Sequence, residues 1–178
     1  MTKRQEFETI KTYAGFEVRE YKPCVIAEVK IAANYSSATS AAFGSLFSYI
    51  SKGNKTSEKI AMTAPVITAQ RSEAIPTNEW FVSFVMPAGS TLADMPLPND
   101  SRVVLRDLDS ERCVALSFRG KATRQLIEKK TAQLRSSAAK ENIALSDETR
   151  TARFDPPFKP SFMQYNEIVI PVSLSARP

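Results

Sequence analysis

Histidine is absent from all 178 residues. That absence removes the usual general base near neutral pH, the commonest zinc ligand and the usual axial ligand of haem iron. Cysteine is scarce: Cys24 and Cys113 lie far apart, outside any Cys-x-x-Cys spacing and beside apolar runs, so buried free thiols are expected rather than a disulfide. No apolar run reaches about eighteen residues, and Met1-Thr2-Lys3-Arg4-Gln5-Glu6 offers no apolar signal core. A cytoplasmic protein without membrane insertion is therefore expected. The basic excess is mild, 24 Lys and Arg against 19 Asp and Glu. Those charges are scattered, with no basic stripe interleaved with aromatics, so no nucleic-acid partner is expected. Gly-x-Ser-x-Gly, phosphate-loop and zinc spacings are missing too. The carboxylate pairs Asp107 with Asp109 and Glu17 with Glu20 fall on strands or turns, where solvation explains them. No catalytic residue is nominated, and a non-enzymatic binding function is the expectation.

What remains is 43% apolar residues in a length that suits a single domain over 1–178. Phe7 to Tyr13 and Phe16 to Tyr21 read as strands about an Ala14-Gly15 turn. Val25 to Ile31 follows as a third, its alternation turning one face to a core. Asn34, Ser36 or Ser37 can cap a helix running to about Lys52. At 100° per residue, Phe43, Leu46, Phe47 and Ile50 form a narrow stripe, expected to face the core. Ala38, Ala41, Ala42, Ser45, Ser48 and Tyr49 make up the opposite face, unusually smooth and uncharged. Lys59 to Ile67 is an extended segment whose Pro65 predicts an edge or a bulge, and Trp80 to Met86 follows a polar stretch, Ala69 to Glu79. Past the turn-rich Pro87 to Asp100, strands are predicted over Val103 to Leu108 and Arg112 to Phe118. A helix over Thr123 to about Glu141 carries Ile127, Leu134 and Ala138 on one side. Extended segments at Thr149 to Phe154 and Asn166 to Val172 flank an irregular loop forced by Pro156, Pro157 and Pro160.

The order repeats. Arg19-Glu20-Tyr21 answers to Arg106-Asp107-Leu108, Ile26-Ala27 to Val114-Ala115, and Trp80 to Pro87 answers to Tyr165 to Val172. Two pseudo-symmetric strand-strand-helix-strand-strand halves, about 7–87 and 103–172, are the expectation. Such units join naturally into one sheet system with both helices outside it, an α+β fold.

The segments Lys59-Ile60-Ala61-Met62-Thr63-Ala64-Pro65-Val66, Trp80-Phe81-Val82-Ser83-Phe84-Val85-Met86-Pro87 and Phe154-Asp155-Pro156-Pro157-Phe158 with Asn166-Glu167 stand in one order, after the start Phe16-Glu17-Val18-Arg19-Glu20-Tyr21. In order and spacing they resemble the SOUL haem-binding family over about residues 7–172. The resemblance implies a distorted β-barrel of two pseudo-symmetric halves with two flanking helices. It further implies non-catalytic binding or carriage of haem or porphyrin, on an apolar face near the first helix and the late proline-rich loop. The fold is similar as well to bacterial effector-binding domains that capture amphipathic drugs.

On that basis a shallow hydrophobic groove is expected from Ala38, Ala41, Ala42, Ser45 and Tyr49 of the first helix, with Met62 and with Phe158, Lys159 and Phe162 of the loop. A flat ring needs small side chains and an aromatic edge. The same small residues could instead pack against the rest of the domain, and the two phenylalanines could anchor the loop to the core. Lys159 matches a lysine that in some relatives approaches the propionates. Two features depart from the family's pattern: the first helix has no Arg or Lys between Tyr35 and Ser51, and Gln164-Tyr165 stands where many relatives have arginines. Without histidine, an iron ligand would have to be Met62, Tyr49, Cys24 or Cys113, or there is none. Another amphipathic planar molecule as ligand, or a protein–protein interaction domain that has lost haem binding, are the alternatives.

Overall fold

The structure, a computed structural model, describes residues 2–71 and 78–174. Ten strands form one sheet: β1 (Lys3–Arg4), β2 (Phe7–Tyr13), β3 (Phe16–Tyr21), β4 (Cys24–Ala32), β5 (Thr63–Gln70), β6 (Glu79–Val85), β7 (Val103–Leu108), β8 (Glu111–Arg119), β9 (Thr149–Arg153) and β10 (Tyr165–Pro171). Two helices, α1 (Tyr35–Ile50) and α2 (Arg124–Lys140), complete it. The sheet order is β2-β3-β8-β10-β9-β5-β6-β4-β7, with the short β1 added in parallel to the start of β5. All other pairings are antiparallel. This curled sheet with two helices is the expected α+β distorted barrel. Outward from the central β5–β9 pair, the order runs β6, β4, β7 on one side and β10, β8, β3 on the other. Strands of equal rank in the two expected halves thus stand equally far from the centre.

Period-two alternation sorts the strand residues onto two faces. On the outer face, Val25, Ala27, Val29, Val82 and Phe84 pack beneath α1, and Val18, Val114, Leu116, Ile168 and Ile170 surround Leu134 of α2. On the inner face lie Tyr21, Cys113, Ala115, Ala152 and Val169, with Ile26, Ile67 and Val85 further along. The helices begin as their caps dictate: the Asn34 side chain accepts from the Ser37 N–H, and that of Thr123 accepts from the Leu126 N–H.

The face of α1 is rotated from the sequence expectation: Leu46 and Ile50 of the expected stripe are buried, but Phe43 and Phe47 are not. Ala38, Ala42, Ser45, Leu46, Tyr49 and Ile50 are buried, whereas Phe43 and Phe47 are 38% and 49% exposed and stack on each other at 5.9 Å. Ala41 and Ser48 are exposed as expected. The cause is steric. Alanines let the helix axis lie close to β4 and β6, and the bulky Tyr49 then reaches past the sheet so that its hydroxyl donates to the Pro96 carbonyl at 2.8 Å. Ala38, Ala42, Ser45 and Tyr49 therefore do not form a surface groove. The loop after α1 is pinned by Asn54, whose amide donates to the carbonyls of Tyr49 and Glu58. Gly53 is required there, because a Cβ would come within 2.6 Å of the Ser48 carbonyl oxygen.

Pro65 sits where the β5–β6 register shifts between Thr63 and Val66, so of the two expectations the bulge is correct. The edge is not, since β5 lies mid-sheet between β9 and β6. Most of the polar stretch Ala69 to Glu79 falls at 72–77, outside the described residues.

Candidate ligand-binding site

Strand pairing brings residues distant in sequence onto one patch of the inner face. Phe7 of β2, Arg19 and Tyr21 of β3, Ile67 of β5, Arg150 and Ala152 of β9, and Glu167 and Val169 of β10 all point inward there. Arg4, Pro65, Phe154 and Tyr165 close one end. They bound an open groove of about 620 Å³, counting the solvent space at its mouth.

Its floor is a buried charge network. Arg19 donates to both carboxylate oxygens of Glu167, at 2.8 and 3.0 Å, to Glu17 at 2.8 Å and to the Tyr21 hydroxyl at 3.1 Å. The Tyr165 hydroxyl donates to Glu167 at 2.7 Å. Burial alone would lower the Arg19 pKa, but its bond to Glu167 and the neighbouring negative charge hold it above the ordinary arginine value. Burial pushes the Tyr21 phenol up, and likewise that of Tyr165. A bidentate pair so enclosed is rigid, and leaving either charge alone would cost on the order of 3–5 kcal/mol. With Glu167 satisfied by Arg19 and Tyr165, and Arg150 held by Glu111 and Glu148, the floor is electrostatically closed.

The rim is different. Arg4 lies over the Phe154 ring at 4.9 Å and the Tyr165 ring at 5.6 Å. Among the described residues it makes no ion pair, although its charge helps hold the Asp155 carboxyl below the usual range, behind the larger effect of the Lys159 hydrogen bond. Phe154 and Tyr165 meet edge to face at 5.3 Å, and Phe7 covers the Arg19 guanidinium at 4.1 Å. An apolar, aromatic-walled slot with one guanidinium at its mouth suits a flat molecule carrying a carboxylate.

The residues expected from sequence are not brought together there. Phe158 and Phe162 are 87% and 76% exposed, and so do not anchor the loop to the core. Lys159 donates to Asp155 at 2.8 Å, and Asp155 also accepts from the Tyr165 N–H at 2.7 Å, so this lysine braces the loop that carries Tyr165. Met62 is half exposed rather than packed in the core. Sequence reasoning missed Arg4, Phe7, Arg19, Tyr21 and Glu167. The available signal was partial: Glu167 is the one charge within the apolar β10, whereas Arg19 stands between Glu17 and Glu20 in β3 and nothing local marks it out.

The donor set fits the organic part of a tetrapyrrole better than its iron. No imidazole, thiolate or thioether lines the groove, and its two phenols are engaged with Arg19 and Glu167 and held protonated by burial. Among the described residues no group of three or more Cys, Asp or Glu could hold a metal ion. No helix among them is long and apolar enough to cross a membrane.

A curled antiparallel sheet with two helices outside and an open aromatic slot inside makes this an α+β half-barrel. The family model described as SOUL heme-binding protein matches residues 2–171. The chain belongs to that family. No curated protein sequence matches it. Among solved structures it is similar to the C-terminal domain of EcmrR, with a TM-score of 0.71, 13% identity, and 89% of this chain and 96% of that one covered. It is similar also to a hydrolase from Listeria innocua, with a TM-score of 0.58, 13% identity and 92% and 94% covered. A third is SAV2435 bound to tetraphenylphosphonium, with a TM-score of 0.54, 12% identity and 89% and 93% covered. At such identities the likeness is one of fold.

Proposed function

We propose that this protein is a non-catalytic binding or carrier protein for a planar amphipathic anion of the tetrapyrrole class, received in the inner-face groove. The observation that carries this is the Arg4 guanidinium lying on the Phe154–Tyr165 pair at the mouth of an aromatic slot. The ring would lie against Phe7, Phe154 and Tyr165, and a propionate would meet Arg4. Family membership supports the ligand class. The similarity to a structure holding tetraphenylphosphonium supports capture of a bulky aromatic molecule by this kind of fold. Here, however, Arg19 neutralises the one carboxylate on the groove floor, which favours an anion over a lipophilic cation. The one phenol–carboxylate contact in the groove, Tyr165 to Glu167, is tied up by the bidentate Arg19 bond to the same carboxylate, and burial keeps the phenol protonated, which favours binding over catalysis. A second surface has its own observation in its favour: the exposed Phe43–Phe47 stack on uncharged α1, with Ala41 beside it and Met62, Phe158 and Phe162 elsewhere exposed.

Titration of the purified protein with iron-free protoporphyrin and with haemin, followed in the Soret band, distinguishes the two surfaces. Arg4→Glu is expected to weaken both ligands about tenfold, the worth of one charge-assisted contact. Phe47→Ala and Phe158→Ala are expected to leave affinity unchanged. The two ligands should bind about equally, because the groove offers iron nothing. Unaltered binding by Arg4→Glu, or a strong preference for haemin, would contradict the reading.

A further inference from the structure

The two helices leave a gap. α1 packs chiefly on β4, β6 and β7, and α2 on β8 and β10, so the central strands β5 and β9 are the least covered by helix, reached from α2 by Arg135, which donates to the Thr149 hydroxyl at 3.0 Å. A cleft of about 810 Å³, counting its open side, lies over those strands on the outer face, bounded by Tyr35 at the start of α1 and by Ile127, Thr131 and Arg135 of α2. It is separate from the inner-face groove, with the sheet between them.

Its lining is mainly apolar but carries buried polar atoms that a packed core would lack. Thr68 of β5 pairs with Thr151 of β9 in register, and Thr68 is only 2% exposed, yet its hydroxyl has no hydrogen-bond partner among the protein groups. Trp80, 8% exposed, is held edge-on to Tyr35 at 5.2 Å, and its indole N–H also lacks a partner. The Thr131 hydroxyl, facing them from α2, is the third. Buried polar atoms left unpaired are costly, and native structures carry few of them. Three such atoms sit on residues that line one cleft, from two strands and a helix, and together they offer donors to a guest.

The charge around the cleft gives the guest its sign. Arg124 lies over the Trp80 ring at 5.6 Å, its Nε bonded to Glu128. Arg153, on the same face of β9 as Thr149 and Thr151, donates to the Tyr35 hydroxyl and lies against its ring at 5.1 Å. Burial lowers the Arg153 pKa with no carboxylate acting against it, and its Nε is another buried donor without a partner. Glu128 offsets Arg124 at the rim, whereas Arg153 lies beside Tyr35 with no carboxylate acting on it, and Tyr35, Trp80 and Ile127 supply apolar surface. We propose that the cleft between α1 and α2 is a second binding site, one that takes a small organic carboxylate, its oxygens on Thr68, Trp80 and Thr131 and its apolar body against Tyr35 and Ile127.

Trp80 is the sole tryptophan, so its emission reports on this cleft directly. Titration with benzoate as the probe, against benzamide and benzyl alcohol, is expected to change that emission saturably for benzoate, with the neutral analogues about tenfold weaker. Thr68→Val and Thr131→Val keep the side-chain shape and remove a hydroxyl. Each is expected to weaken benzoate about tenfold while Tm holds or rises, since an unpaired buried group has gone. The proposal is overturned if benzoate gives no saturable change, if benzamide binds as tightly, or if both valine variants bind as the parent does. A Thr68→Val protein of lower Tm overturns it equally, because the hydroxyl would then serve the fold.

Discussion

Cys113 shows how the inner face treats an ionisable side chain. It sits fully buried on β8, opposite Arg19 of β3, and burial pushes its thiol up to about 12. Tyr49, buried under α1, is likewise pushed up to about 12 by burial. Both groups are held neutral in the folded chain and ionise more readily when unfolded. Their contribution to stability is therefore complete below the unfolded thiol's ordinary pKa of about 8.5. It is lost as pH rises from there towards the folded values. Denaturation midpoints in urea are expected to fall steadily across that alkaline window, and Cys113→Ala to flatten part of the fall. Cys24 differs, being only half-buried, with its sulfur accepting from the Gln5 amide at 3.7 Å. The expectation of two free thiols holds, but burial as complete as that of Cys113 does not extend to Cys24. A thiol reagent on native protein should accordingly label Cys24 well before Cys113.

At the scale of elements, α1 carries the sharpest test, because the structure keeps Leu46 and Ile50 of the expected stripe in the core but turns Phe43 and Phe47 outward. Leu46 is fully buried beneath the helix, and Leu46→Ala is expected to cost about 2–5 kcal/mol by leaving a cavity. Phe47, half exposed, is expected to cost less than about 1 kcal/mol on truncation to alanine, and equilibrium unfolding of both variants measures the contrast. Equal losses would restore the phenylalanine stripe to the core. Most elements were legible from alternation, caps and prolines, since these are local signals: β2, β3, β4 and β7 keep their expected bounds to within a residue or so. The facing of α1 was not, because hydrophobicity marks Phe43 and Phe47 for the core while close packing selects alanine. Neither was the groove, because Arg4, Arg19, Glu167 and Tyr165 meet only through pairings such as β3 with β8 and β8 with β10. Sequence shows Glu167 as a lone charge in an apolar strand and Arg19 as one of three charges in β3; it does not show that the strands lie two places apart in one sheet.

Across the whole molecule, the sheet separates two environments. Its inner face gathers the Arg19–Glu167 pair and an aromatic slot with Arg4 at the mouth, whereas its outer face carries the helices and the cleft between them. The central claim is that the planar ligand enters from the inner side, and nuclear magnetic resonance of isotope-labelled protein tests it most directly. A porphyrin ring shifts the resonances of nuclei stacked near it. On addition of iron-free protoporphyrin, the large amide shifts are predicted at Arg19 to Tyr21, Arg150 to Phe154 and Tyr165 to Val169, with the amides of α1 little changed. Shifts confined to Tyr35 to Ile50 and to Pro156 to Met163 would contradict the account and place the ligand on the outer surface of the first helix.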